Sequence, residues 1–270
     1  MKRFGYTIFL MGSLLISTIG SPIVAQDTRP TSTPNVDSQF DPVRFNAPDL
    51  TGEGRPTQGH TDTATRGSCK ISSKEVSPLV PPSYVGWTDA GHPTFWFSIP
   101  YGEEDFDTLN FMLMEIREDG SVAIIYEKMM KAPASLPGII GVALPESVPE
   151  LEVGKTYDWY LEFYCIDPMA TPLGGQPNAT IAGGIIRRKV PDDLERDLEA
   201  TTTARERAIA YAEHGFWYDA LTLVADLNRS NPGDPTFAAD WKSLLSDVEL
   251  ADIVTEPIVE CCFVEEKQER

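Results

Sequence analysis

Basic side chains are scarce in this 270-residue chain: 22 Lys and Arg stand against 41 Asp and Glu, a formal net charge of −19. A polyanion repels phosphate backbones and anionic headgroups, which argues against nucleic acid and direct membrane-surface binding. Histidine is scarcer still, with three. His60 falls in a Pro- and Thr-rich stretch, His92 in a turn before Pro93, and His214 beside Gly215 at a helix end, where capping is the simpler role. No two of them share metal-ligand spacing, and neither a Gly-x-Ser-x-Gly elbow nor a phosphate-binding glycine loop occurs. The residues thus offer no catalytic site, cofactor or metal site, and the expectation is a non-enzymatic protein. Long apolar runs are also missing. The stretch Tyr6–Ile19 falls short of the roughly 20 residues that span a bilayer. It follows Lys2 and Arg3 and leads to Ile23-Val24-Ala25, the layout of a secretory signal peptide cut after Ala25.

Removing residues 1–25 takes the charge to −21 and directs the remainder to the periplasm or the outside, with no integral membrane segment left. There a disulfide persists, which gives weight to the few cysteines. Residues 26–66 carry Pro30, Pro34, Pro42, Pro48 and Pro56 without apolar periodicity and are expected to form a disordered tether. Residues 67–191 are expected to be β, with strands over Thr94–Ile99, Leu109–Ile116, Val122–Glu127, Ile139–Leu144, Tyr157–Cys165 and Thr180–Lys189. Asp119-Gly120 supplies a hairpin turn between two of them. Short strands at this spacing without intervening helices predict an antiparallel β-sandwich.

Leu151-x-x-Gly154-x-x-Tyr157, running into an alternating strand, resembles the tyrosine corner of immunoglobulin-like domains. The resemblance implies that the Tyr157 hydroxyl turns back onto upstream backbone, with Trp159, Leu161 and Phe163 lining the core. It also implies that Cys165 faces that core and bridges to Cys69, the alternative being two buried thiols. Such a bridge closes a long loop worth roughly 4 kcal/mol in the chain-entropy model.

From Asp192 the apolar period lengthens to about 3.6. Asp192 and Glu195 stand at capping-box spacing, and one helix is expected up to Gly215. A second is expected from Phe216 to Asn228, and a third opens on Pro235, so that residues 192–256 form a helical hairpin plus a third helix. Ala208, Tyr211, Gly215, Trp217, Ala220, Val224, Leu227 and Pro232 are similar to one tetratricopeptide unit. A lone unit needs a surface to cover it, which makes Trp217, Tyr218 and Trp241 candidates for binding an envelope protein. Tyr160 and Tyr164, outward on their strand, and Trp87 in a nearby turn are candidates for stacking on a polysaccharide.

In order along the chain, Arg66-Gly67-Ser68-Cys69, Pro93-Thr94-Phe95-Trp96-Phe97, Tyr157-x-Trp159, Cys165, Gly215-x-Trp217-Tyr218-Asp219-Ala220-Leu221, Trp241 and Leu244-Leu245 resemble the cyanobacterial domain-of-unknown-function family 928. That resemblance implies export and architecture and brings no catalytic residue. The Glu103–Asp107 run reads as a solvated acidic loop rather than a calcium loop, because it lacks the interleaved spacing of an EF-hand. Arg187-Arg188-Lys189 reads as a basic cluster paired with acidic neighbours. Asn178-Ala179-Thr180 matches a glycosylation sequon, discounted on the bacterial resemblance. Residues 257–270 form an acidic tail whose Cys261-Cys262 pair suits an intermolecular bridge, a vicinal disulfide or no bond.

Overall fold

Strict alternation over Tyr157, Trp159, Leu161 and Phe163 sends four large side chains to one face of a strand, and that face is the centre of the protein. The computed structural model describes residues 41–50, 75–117, 119–165 and 179–260. The signal peptide, most of the tether, Cys69, Asn178, Cys261 and Cys262 lie outside the described residues, and so does the Cys69–Cys165 pairing. The strands are β1 (Ser77–Pro78), β2 (Val85–Thr88), β3 (Thr94–Ile99), β4 (Phe106–Ile116), β5 (Val122–Lys131), β6 (Gly138–Ala143), β7 (Thr156–Cys165) and β8 (Ala179–Arg187). They form a three-stranded sheet in the order β1-β3-β6 and a five-stranded sheet in the order β2-β8-β7-β4-β5.

The protein is mostly β, in two sheets, followed by four helices, and the expected all-antiparallel arrangement needs correction. β2 runs parallel to β8, so the larger sheet is mixed rather than antiparallel. β2 and β3 are neighbours in sequence yet belong to different sheets, and the chain turns between them at residues 89–93. β5 also runs four residues past its expected end at Glu127. Its alternation breaks at Ile124-Ile125-Tyr126, where Ile125 is an extra residue opposite the Leu113/Met114 step of β4, and the ladder then resumes to Lys131. Gly120, at φ +79°, makes the expected hairpin turn. Phe95 and Phe97 of β3 meet Trp159 at 6.3 and 5.3 Å between ring centroids. A Cβ at Gly183 of β8 would lie 2.2 Å from the Trp159 ring, so only glycine leaves room for the indole. The Tyr157 hydroxyl accepts from the Glu152 N–H at 2.8 Å, the contact that a tyrosine corner requires.

The single helix expected over residues 192–215 is two, α1 (Asp192–Ala200) and α2 (Ala204–Glu213). Asp192 is not a cap, because Pro191 occupies that position without a side-chain bond. The reciprocal capping box lies instead at Thr203 and Glu206, and the extended Thr201 separates the two helices. α3 (Trp217–Ser230) and α4 (Pro235–Ser246, with Pro235 at its start and Asp234 as cap) follow as expected. No helix among the described residues is long and apolar enough to cross a membrane.

Sheets and helices share one continuous core. α3 packs on β2 and β3, with the Trp96 indole donating to Thr222 Oγ1 at 3.1 Å. Residues 41–50, counted within the tether, depart from expectation: they form a strap across the helices. Val43 is buried, and its N–H donates to Asp240 Oδ1 at 2.9 Å. Arg205 clamps Asp240 with two bonds of 2.7 and 3.0 Å and reaches the Asp41 carbonyl at 2.8 Å. Phe45 meets the edge of Trp217 at 4.8 Å.

Candidate functional site

Two surfaces gather polar and aromatic side chains. The first is a cavity of about 250 Å³ at the seam between the β2–β3 turn and helices α2 and α3, lined by His92, Arg207, Tyr211, Asp219 and Thr222 among others. Asp219 stands in the first turn of α3, and its carboxylate accepts from the backbone N–H groups of Asp89 (3.1 Å) and Ala90 (3.2 Å). The residue keeps some open surface onto the cavity, yet protein surrounds the carboxylate densely. Burial pushes its pKa up to about 7, against the lowering by these hydrogen bonds and one from Thr88. The Tyr211 hydroxyl donates to Asp89 Oδ2 at 3.3 Å, and burial lifts that phenol to about 12. Arg207 lies over the Tyr211 ring at 5.9 Å, while a His92 ring nitrogen sits 2.8 Å from the Val148 carbonyl. The Asp219 carboxylate therefore acts as a clip holding the β2–β3 turn on α3.

The second surface is the outward face of the five-stranded sheet, opposite the core. Among the described residues no helix packs closely on β4, β5 or β7, and the outward side chains of these strands are exposed or half-buried apart from Asn110 and Asp158, which are buried. Tyr160 and Tyr164 both lie on it, half-buried, about 13 Å apart along β7 at the usual rise per residue. Between the strands stands Asn110 of β4, itself buried, whose amide donates to Glu127 of β5 (3.1 Å) and Glu162 of β7 (3.2 Å). The Tyr164 hydroxyl donates to the same Glu162 at 3.1 Å. Burial, then the Glu162 and Glu127 carboxylates, raise the Tyr164 phenol above its ordinary value.

The structure separates the residues singled out in the sequence. Tyr160 and Tyr164 share the open face. Trp87 does not join them: it sits on edge strand β2, with Phe216 at 6.0 Å and the Arg188 guanidinium 4.8 Å over its ring. Trp217, Tyr218 and Trp241 are interior and correct the expectation that they anchor a partner. The Trp217 indole donates to the Leu79 carbonyl (2.9 Å), Tyr218 bonds the Gly184 carbonyl and the Trp159 indole, and Trp241 donates to the Val254 carbonyl. Strands β2 and β3 cover the apolar stripe of α3. His214 is the C-cap of α2 and lies 2.8 Å from Asp197 Oδ2. Arg187 pairs with Glu150 and bonds the Asp89 and Leu151 carbonyls. In the Glu103–Asp107 loop, Asp105 closes its own turn by accepting the Gly102 N–H. Among the described residues no group of three or more His, Cys, Asp or Glu stands where it could hold a metal ion. Asp219 and Asn110 went unnoticed as site residues in the sequence, because neither sits in a pattern that marks it.

No curated protein matches the chain. The family model described as Domain of Unknown Function (DUF928) matches residues 61–258, a span that takes in both sheets and all four helices, and the chain belongs to that family.

Proposed function

We propose that the protein is an exported, non-enzymatic binding module that takes a neutral, hydroxyl-rich chain such as a polysaccharide on the outward face of its five-stranded sheet. The observation that carries this reading is the open placement of Tyr160 and Tyr164 beside the Glu127–Asn110–Glu162 cluster. Flat aromatic faces stack on sugar rings, and carboxylates and amides take the hydroxyl hydrogens between them. The excess of acidic residues disfavours an anionic glycan. Export is supported by the signal-peptide layout of residues 1–25 and suits a mature module in the periplasm or outside the cell. Immunoglobulin-like kinship of the sandwich is supported by the Tyr157 corner, and a Cys69–Cys165 bridge suits the same compartment.

Affinity electrophoresis through neutral and acidic polysaccharides tests the reading. Retardation by a neutral polymer, reduced tenfold or more by Tyr160→Ala and by Tyr164→Ala, is the expected result. Retardation unchanged in both variants, or none by any polymer, overturns it.

A further inference from the structure

β5 ends the order of the five-stranded sheet, so one side of its backbone meets no neighbouring strand among the described residues. The described residues leave four large hydrophobic side chains exposed, and three of them lie on this strand: Val122 (54%), Ile124 (59%) and Met129 (62%). Single exposed apolar residues are ordinary, but on an unpaired edge they mark where another strand can add; of the three, Met129 lies on the stretch of β5 past its bulge and Val122 and Ile124 lie before it.

The backbone settles which residues would make that contact. The Ala132 N–H donates to the Asp107 carbonyl at 2.9 Å, across to the β4 side. In an antiparallel ladder the direction alternates, so residues 128 and 130 also turn their amides and carbonyls to β4. Glu127, Met129 and Lys131 turn theirs to the open edge. These three side chains are exposed and share the outward face. No ion pair engages Lys131 among the described residues, and Glu127 is steadied by Asn110.

We propose that β5 pairs antiparallel with β5 of a second copy of the chain, about a two-fold axis through Met129. In that register Glu127 lies opposite Lys131 of the second copy, Lys131 opposite its Glu127, and Met129 opposite its Met129. All three are hydrogen-bonded pairs built from backbone groups that now face outward, and both charges find opposite partners. Shifting the axis by one residue toward Glu127 sets Glu127 against Met129. Shifting it by one residue toward Lys131 sets Lys131 against Met129 and brings Glu127 opposite Pro133, which has no N–H. A lysine on an edge ordinarily blunts pairing; here the same strand carries the glutamate that receives it. Two-fold interfaces are self-complementary in this way. The result is a continuous ten-stranded sheet whose outward face carries two copies of the Tyr160–Tyr164 row.

Sedimentation of the full mature chain over a range of concentrations tests the proposal. The expected result is a dimer for the native sequence, and monomers for Glu127→Lys and for Lys131→Glu separately, since each sets like charges opposite. Mixing these two variants restores opposite charges at both positions, and the mass should double again. Met129→Cys should form an intermolecular disulfide at the axis, where the expected Cα separation of about 5.5 Å suits one. A native chain that stays monomeric, single variants that stay dimeric, or a mixture of the two that stays monomeric overturns the proposal. A foreign strand captured at β5 by a monomeric chain also counts against it.

Discussion

Replacing Asp219 by Asn isolates the effect of one buried carboxyl on stability. Its acid form persists to a pH of about 7 in the folded protein, against 3.8 in the open chain. The folded state therefore binds more protons than the unfolded state between those values, and stability from this group falls as pH rises. The contribution is fully present below about pH 4 and is lost as pH passes 7. Ionising the carboxyl in place costs about 4 kcal/mol, of which about 3 kcal/mol accrues between pH 5 and pH 8.5. The Asp219→Asn variant does not titrate at this position. It turns an NH₂ toward one of the two backbone donors that Asp219 now accepts, which costs about 1–3 kcal/mol at every pH. Urea unfolding of both proteins at pH 5 and pH 8.5 reads the difference. The native chain's advantage should shrink by about 3 kcal/mol and can reverse sign at the higher pH. An advantage that is equal at the two pH values refutes the argument.

Three further outcomes are expected. Gly183→Ala should destabilise by about 3 kcal/mol in urea unfolding, because the new Cβ would lie 2.2 Å from the Trp159 ring in a filled core. Trp217→Ala should cost about 3–5 kcal/mol, the range for a buried aromatic, and leave polysaccharide retardation of the folded fraction unchanged. Non-reducing peptide mapping of envelope-purified protein should link Cys69 to Cys165, and Cys165→Ser should lower the melting temperature; free thiols at both positions would sink the bridge.

β7 was legible because its alternation is uninterrupted, and β3 because a dense apolar run stands between Pro93 and Pro100; both fall within a residue of their expected ends. β1 and β2 were not, since Ser77–Pro78 is too short for any period and Gly86 interrupts the other. That glycine is explained by α3, because a Cβ there would lie 2.9 Å from the Tyr218 ring. The break between α1 and α2 had a readable signal in Thr203-x-x-Glu206, obscured by the acidic residues after Pro191. Asp219 reads as a solvated helix residue because its partners, Asp89 and Ala90, are about 130 positions earlier. The tetratricopeptide-like spacing predicted the α2–α3 pair correctly, while the surface that covers it was set by sheet edges that no local pattern announces. Tyr160 and Tyr164 were found because strand parity alone decides their side.

The strap over residues 41–50 bears on the order in which the chain can fold. Val43 bonds Asp240 across 197 positions of sequence, and Phe45 bonds Asp247 across 202. Loop-closure entropy grows only logarithmically with length, so a separation this wide takes little from the final stability. What it takes is time, since contacts this remote in sequence form slowly. In a chain made from its N-terminus, the strap's seat does not exist until α4 has been synthesised and has docked. The strap is thus among the last parts to settle, and the Trp217 edge that Phe45 covers stays open until then.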